Sequence, residues 1–404
     1  MLMSRSCITF GYFYKVKFIS MNCILINRFL FLVSVLLFNF TILSAQDSFK
    51  RKYSNSSVYA GIEVGSKGVK MGLVEIGKDA QVGGNFNILK DTSVNTDFIS
   101  FTQPSFQATL NGFSNLYTTA LNDYQISSRN IFTVISSGVK AQAEKENKNS
   151  WINNLIDSFK LKINEPNRQV TVADVVQEAR LSHLGIVPDS KRYTTFLIDI
   201  GSGNTKGGYF PYGNTKDFKL FQVNWGTKST AIETEKRCVD NDKSLDNFNK
   251  QLARVLVTAE NSEIIYAVNE SGSYPLSDNV AFSGGIAWSV ATLLFPELID
   301  RSVVPVTYNE LASFCERLYN DYASISDVAI IKKIKDKTLD KAAIAKEIKR
   351  VNQVFDQRSL MAGAGLLLKI MRQFENINDR KGFYLVKNGQ VGWVSAYVDQ
   401  NISK

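Results

Sequence analysis

Two stretches of this chain set an acid, a glycine-rich turn and hydroxyl side chains at the end of an apolar run. In the first, residues 58–63 are apolar and close on Glu63, Gly65-Ser66-Lys67-Gly68 supplies a tight turn, and residues 69–76 resume a strand-like composition. In the second, residues 195–199 close on Asp199, Gly201-Ser202-Gly203-Asn204-Thr205 forms the turn, and residues 206–210 lead away from it. Aligned, EVGSKGVKMG and DIGSGNTKGG pair Gly65 with Gly201, Ser66 with Ser202, Lys70 with Lys206 and Gly72 with Gly208. Glycines let backbone N–H groups approach an anion, hydroxyls add donors, and an acid at the strand end can hold a divalent cation through water. A single Gly-Ser turn occurs in most β-rich proteins. Two copies with the acid in register point to a phosphate chain gripped from both sides.

The rest of the composition narrows the chemistry. His183 is the single histidine of 404 residues, so a His-rich zinc site or a two-histidine metalloprotease helix is excluded, and any metal must be held by oxygen. A Ser-His-Asp or Cys-His nucleophile would have to work through His183, which lies in an apolar, helix-like run away from any candidate nucleophile. The formal charge of +9 invites a nucleic-acid reading until the N-terminus is considered. Residues 1–45 carry Arg5, Lys15, Lys17 and Arg28 and no acid, and an uncharged apolar run leads to Leu43-Ser44-Ala45-Gln46. This is the pattern of a secretory leader cleaved near Ala45, with Met21 as a plausible start; the alternative is an uncleaved membrane anchor. Loss of those four basic residues lowers the charge to +5, and no nucleic-acid partner is called for. Cys7 and Cys23 leave with the leader, and Cys238 and Cys315 remain to pair or to stay buried thiols.

The elements that must position these residues follow from the repeat. A motif recurring after 136 residues, each copy opening a segment of domain size, predicts an α/β protein of two lobes with a common architecture facing a cleft. After the leader and a short linker at 46–57, the N-terminal lobe is expected over 58–187 and the C-terminal lobe over 188–404. The Lys-rich stretch 325–350 has apolar residues at helical intervals and reads as one or two surface helices, with a basic rim to the cleft as the alternative. Residues 383–398, with Asn388-Gly389 in their middle, read as a β-hairpin.

The paired hairpins resemble the two phosphate loops of the actin, hexokinase and Hsp70 superfamily, whose lobes are ribonuclease-H-like. Within it the chain is similar to the exopolyphosphatase and guanosine pentaphosphate phosphatase (Ppx/GppA) family. The segments FTVISSGVKA from Phe132, VVQEARLSHLGI from Val175, AFSGGIA from Ala281 and DQRSLMAGAGLLL from Asp356 carry that resemblance in the family's order. It implies that Glu178 activates the attacking water and that Asp199, with Glu63, holds Mg2+. Gly65, Ser66, Gly201, Ser202, Gly203, Asn204 and Thr205 would line the phosphates, Ser136 and Ser137 would add hydroxyls, and Gly284 and Gly285 could border a nucleotide. The substrate expected is inorganic polyphosphate or a nucleotide polyphosphate, hydrolysed with Mg2+ at its terminal phosphoanhydride. Four positions depart from the family pattern. Glu63 stands for an Asp, Gln177 for the first of two acids, Lys206 for an acid after the second loop, and Lys140 for an Arg. Two of these, Gln177 and Lys206, lower the negative charge of the cleft, which favours holding an anionic chain and weakens metal binding. An exported, non-catalytic phosphate or nucleotide sensor of the same fold is therefore the second expectation.

Overall fold

The computed structural model describes residues 49, 51–53, 56–77, 87–238, 242–273, 277–375, 380–387 and 389–402. The expected leader lies outside the described residues, as does Asn388. Among the described residues no helix is long and apolar enough to cross a membrane. Residues Arg51–Lys404 form one compact unit.

The chain opens with three antiparallel strands: β1 (Ser57–Val64), β2 (Gly68–Ile76) and β3 (Asn87–Asn95). Helix α1 (Gln103–Thr118) leads to β4 (Ile131–Ile135); α2 (Ser137–Lys145) and α3 (Asn149–Lys162) lead to β5 (Val170–Val172), and α4 (Val175–Ile186) follows. The sheet order is β3-β2-β1-β4-β5, with β4 parallel to β1 and β5 parallel to β4. The same plan then repeats. Strands β6 (Thr195–Ile200), β7 (Thr205–Tyr209) and β8 (Lys219–Val223) form an antiparallel meander. After α5 (Thr227–Arg237), α6 (Leu245–Ala259) and α7 (Ile265–Ser271) comes β9 (Asn279–Ser283), parallel to β6. Next are α8 (Gly285–Leu294), β10 (Val303–Pro305), α9 (Tyr308–Asn320), α10 (Asp327–Lys333), α11 (Lys341–Val354), α12 (Gln357–Arg372), β11 (Gly382–Val386) and α13 (Gly389–Ile402). The second sheet runs β10-β11-β9-β6-β7-β8, the order of the first with one antiparallel edge strand added. Two α/β lobes of one topology are thus present.

The predicted strands form where they do because β1 and β6 are continuous apolar runs buried on both faces, as central strands flanked by helices must be. Helix α4 starts where Asp174 accepts a hydrogen bond from the Gln177 amide at 2.7 Å, and it stops before Pro188. In α12, Gly363 and Gly365 admit neighbours that a side chain would exclude: a Cβ there would lie 2.8 Å from Thr227 Cγ2 and 2.7 Å from Leu256 Cδ1. The Lys-rich stretch folds as α10 and α11, with Ile330, Ile344 and Ile348 turned into the core.

Two expectations are corrected. Lys52, Tyr53 and Ser56, in the stretch assigned to a linker, are docked on β2. The amides of Lys52 and Tyr53 and the Ser56 hydroxyl donate to the buried Glu75 carboxylate at 2.8, 2.9 and 2.6 Å. Burial opposes ionisation there, but those donors and Asn87 outweigh it and hold Glu75 down at about 2. The expected C-terminal hairpin is instead β11 followed by helix α13, so Gly389 starts a helix rather than a turn. Helix α13 returns to the first lobe and packs on α4, β1 and β2. Trp393, Val394 and Tyr397 give it a buried face against Val134 and Leu181, burial that a two-stranded ribbon would not achieve.

Candidate active site

Both glycine turns close in the same way. The Gly65 amide donates to the Gly68 carbonyl at 2.8 Å, and the Gly201 amide donates to the Asn204 carbonyl at 3.0 Å. In each hairpin the acid faces a lysine across the antiparallel pair: Glu63 opposes Lys70, and Asp199 opposes Lys206. The two turns and the Ser136-Ser137-Gly138 segment converge closely. A Cβ built on Gly138 would lie 3.2 Å from Ser66 Oγ and 3.7 Å from Asn204 Oδ1.

Between the lobes lies a cleft with a cavity volume of about 190 Å³. Its wall includes Glu63, Gly65, Ser66, Ser136, Glu178, Asp199, Gly201, Ser202, Gly203, Asn204, Gly284 and Gly285, all expected from the sequence. Two expected phosphate ligands are not on that wall. The Thr205 hydroxyl donates to the Trp225 carbonyl at 2.6 Å, because Thr205 is fully buried within β7. Ser137 contributes its backbone rather than its hydroxyl: its amide, at the start of α2, donates to Glu178 Oε2 at 2.6 Å. Lys140, standing for the family's Arg, pairs instead with Glu144 along its own helix. Gly284 has φ 94°, and a Cβ there would sit 2.3 Å from the Ile200 carbonyl oxygen, so close strand-to-helix packing explains this glycine. Over Gly285 lies the Phe355 ring, whose Cζ would be 3.1 Å from an added Cβ.

At the floor Glu178 is 2% exposed and Lys206 is 5% exposed. Lys206 Nζ lies 2.9 Å from Glu178 Oε1 and 3.6 Å from Asp199 Oδ2, while Asp199 Oδ1 accepts from the Ser283 hydroxyl at 3.0 Å. Burial alone would neutralise the Lys206 ammonium, but attraction to Glu178 and Asp199 outweighs it and holds Lys206 firmly charged. Burial likewise opposes the Glu178 carboxylate, and Lys206 and the Ser137 amide override it, so Glu178 stays ionised. Glu63 follows burial in the other direction: its carboxyl is raised despite the attraction of Lys70. Its Oε2 is buried without a hydrogen-bond partner.

Mg2+ demands oxygen ligands at about 2.0–2.1 Å in near-octahedral order. The oxygens of Glu178 and Asp199 that would turn toward such an ion face the Lys206 ammonium instead. Among the described residues no three His, Cys, Asp or Glu side chains are grouped as a metal site. Asp199, expected to be a metal ligand, thus does not fit a resident divalent ion, because the Lys206 ammonium stands between it and Glu178; Glu63, the other expected ligand, lies outside that contact.

Sequence reasoning missed Lys67, Lys70, Arg350 and Phe355 on the cleft wall. Lys67 and Lys70 sit inside and just after the first turn and were legible from the repeat. Arg350 arrives from α11, at the end of the Lys-rich stretch whose alternative reading was a basic rim to the cleft, and stacks on Trp288 with its guanidinium carbon 5.3 Å from the ring centroid. His183 packs: its Nε2 is 2.9 Å from the Thr195 carbonyl oxygen and its ring meets Phe210 edge-on. Cys238 and Cys315 are both free thiols, and burial pushes that of Cys315 up to about 12.

No protein-family model and no curated protein matches this sequence. Solved structures do match the fold. An Aquifex aeolicus member of the Ppx/GppA protein family is 14% identical with a TM-score of 0.57, over 86% of this chain and 98% of that one. An exopolyphosphatase from Cytophaga hutchinsonii is 13% identical with a TM-score of 0.52, over 85% and 98%. An exopolyphosphatase-like protein is 12% identical with a TM-score of 0.54, over 86% and 98%. The chain therefore has the two-lobed fold of these Ppx/GppA and exopolyphosphatase structures.

Proposed function

We propose that this protein is an exported phosphohydrolase that grips inorganic polyphosphate between its two glycine turns and hydrolyses the terminal phosphoanhydride. The observation that carries this reading is the convergence of both turns on one cleft floored by the buried Glu178. Phosphoryl transfer to water asks for position and charge rather than strong bases. A Glu178 held ionised serves as an acceptor that orients the water. The water oxygen bonds to the terminal phosphorus as the bridging P–O bond breaks, its electron pair leaves with the shortened chain, and the water proton passes by way of Glu178 to the products. The backbone amides of the turns and the hydroxyls of Ser66 and Ser202 hold the non-bridging oxygens. Phe355 over Gly285 narrows the edge where a nucleotide base would lie, which favours the inorganic chain. Export through the leader favours it too, since a polymer anion can be met outside the cytoplasm.

A second reading, a sensor that closes on polyphosphate without turnover, is favoured by one observation: both Glu178 oxygens already have partners, Lys206 and the Ser137 amide. Phosphate release from polyphosphate, measured for the wild type and Glu178→Gln, separates the two. Release by the wild type that falls at least a hundredfold in Glu178→Gln, on the order of what a water-orienting group contributes, supports hydrolysis. Binding with no release from either protein supports the sensor.

A further inference from the structure

We infer that the Lys206 ammonium is the resident cation of the cleft, taking in this chain the place of a divalent ion, so that a phosphoanhydride chain binds there without metal. The inference rests on the phosphate-chain reading and goes beyond it, since it fixes what neutralises the ligand. Two observations support it. First, Lys206 Nζ is placed between carboxylates from both sides of the cleft, 2.9 Å from Glu178 of the first lobe and 3.6 Å from Asp199 of the second. Second, an ammonium has three donors. Glu178 takes one, and the Asp199 contact is too long for a hydrogen bond, so donor capacity remains on a side chain that lines the cavity. The repeat sets Lys70 opposite Glu63 in the register that sets Lys206 opposite Asp199, and Lys70 also lines the cleft. Cross-strand register therefore delivers two tethered cations beside the two turns, and a non-bridging oxygen arriving in the cleft meets ammonium donors instead of a hydrated ion. Such a cation is always present, and unlike a metal it is not removed by a chelator.

Two measurements on the wild-type chain decide this. In the first, Mn2+ is titrated into metal-free protein and its free fraction is followed by electron paramagnetic resonance. The expected result is no bound Mn2+ up to about 1 mM, the weak end of protein cation sites. Stoichiometric Mn2+ binding well below that overturns the inference. In the second, calorimetry measures inorganic tripolyphosphate binding in EDTA and in Mg2+. Affinities agreeing within about threefold, a difference of less than 1 kcal/mol, are expected. Binding that vanishes in EDTA and returns with Mg2+ overturns it. Lys206→Gln is expected to weaken tripolyphosphate in EDTA by roughly tenfold or more, the worth of a charge-assisted hydrogen bond, and to gain Mn2+ affinity as the carboxylates lose their ammonium. Should that variant fail to fold, the wild-type measurements stand alone. Failure of the phosphate-chain reading is distinguishable: tripolyphosphate would then bind in neither buffer, whereas Mn2+ would still report whether Lys206 excludes a metal.

Discussion

In the pair Glu178–Lys206 on the cleft floor, both groups are almost wholly out of water and each keeps the other charged. Removing one partner of such a pair leaves a buried charge without compensation, a loss of roughly 3–5 kcal/mol. Lys206→Ala is therefore expected to lower stability in chemical denaturation far more than Lys140→Ala, whose pair with Glu144 is on the surface. The lone histidine gives a second residue-scale prediction. Burial, aided by Arg192 and opposed by the Thr195 carbonyl, depresses His183 from 6.5 to about 4. The unfolded chain binds a proton that the folded chain refuses between those values. The stability that this group contributes is thus complete above about pH 6.5 and is lost as pH falls toward 4, by about 3 kcal/mol. Denaturation midpoints measured from pH 7 to pH 4.5 are expected to fall, and to fall less steeply in His183→Gln. An unchanged slope in that variant would assign the effect to other groups.

At the scale of elements, the position of Glu178 depends on how closely α4 meets α13. Gly185 makes that approach possible: a Cβ there would lie 2.0 Å from the Gly392 carbonyl oxygen. Gly185→Ala must push the helices apart, at a cost of about 1–3 kcal/mol. Because α4 carries Glu178, the expected outcome is a lower melting temperature together with weaker polyphosphate binding. Loss of stability with binding intact would show that α4 can shift without moving the site. The same helix pair marks where sequence reading stopped. The hairpins at β1–β2 and β6–β7 were legible because an apolar run, an acid and a glycine turn are all local signals. The C-terminal helix was not, because Asn388-Gly389 is a strong local turn signal. What overrides it is a distant surface, the exposed flank of α4 and β1, which only the folded first lobe presents. Thr205 and Ser137 misled for a related reason. Their hydroxyls fit the motif, but whether a side chain faces the cleft or the neighbouring strand depends on register and on the start of α2.

On the scale of the whole molecule, duplication explains why one cleft gathers two glycine turns, each with an acid facing a lysine, Glu63 with Lys70 and Asp199 with Lys206: each lobe brings a single hairpin, and opposing the lobes doubles it. Two ion pairs also cross from lobe to lobe beside the cleft, Lys228 with Asp97 at 2.7 Å and Arg350 with Asp91 at 3.3 Å. Both are partly exposed and worth at most about 1 kcal/mol each, so they favour approach of the lobes without locking them. The central claim is that this cleft, and no other part of the surface, holds the phosphate chain. Its most direct test is calorimetric titration of inorganic tripolyphosphate into the wild type and into Ser202→Asp, which sets a carboxylate in the second turn while leaving the fold's buried contacts alone. One-to-one binding by the wild type that is lost in Ser202→Asp is the predicted result; equal binding by both proteins would contradict it.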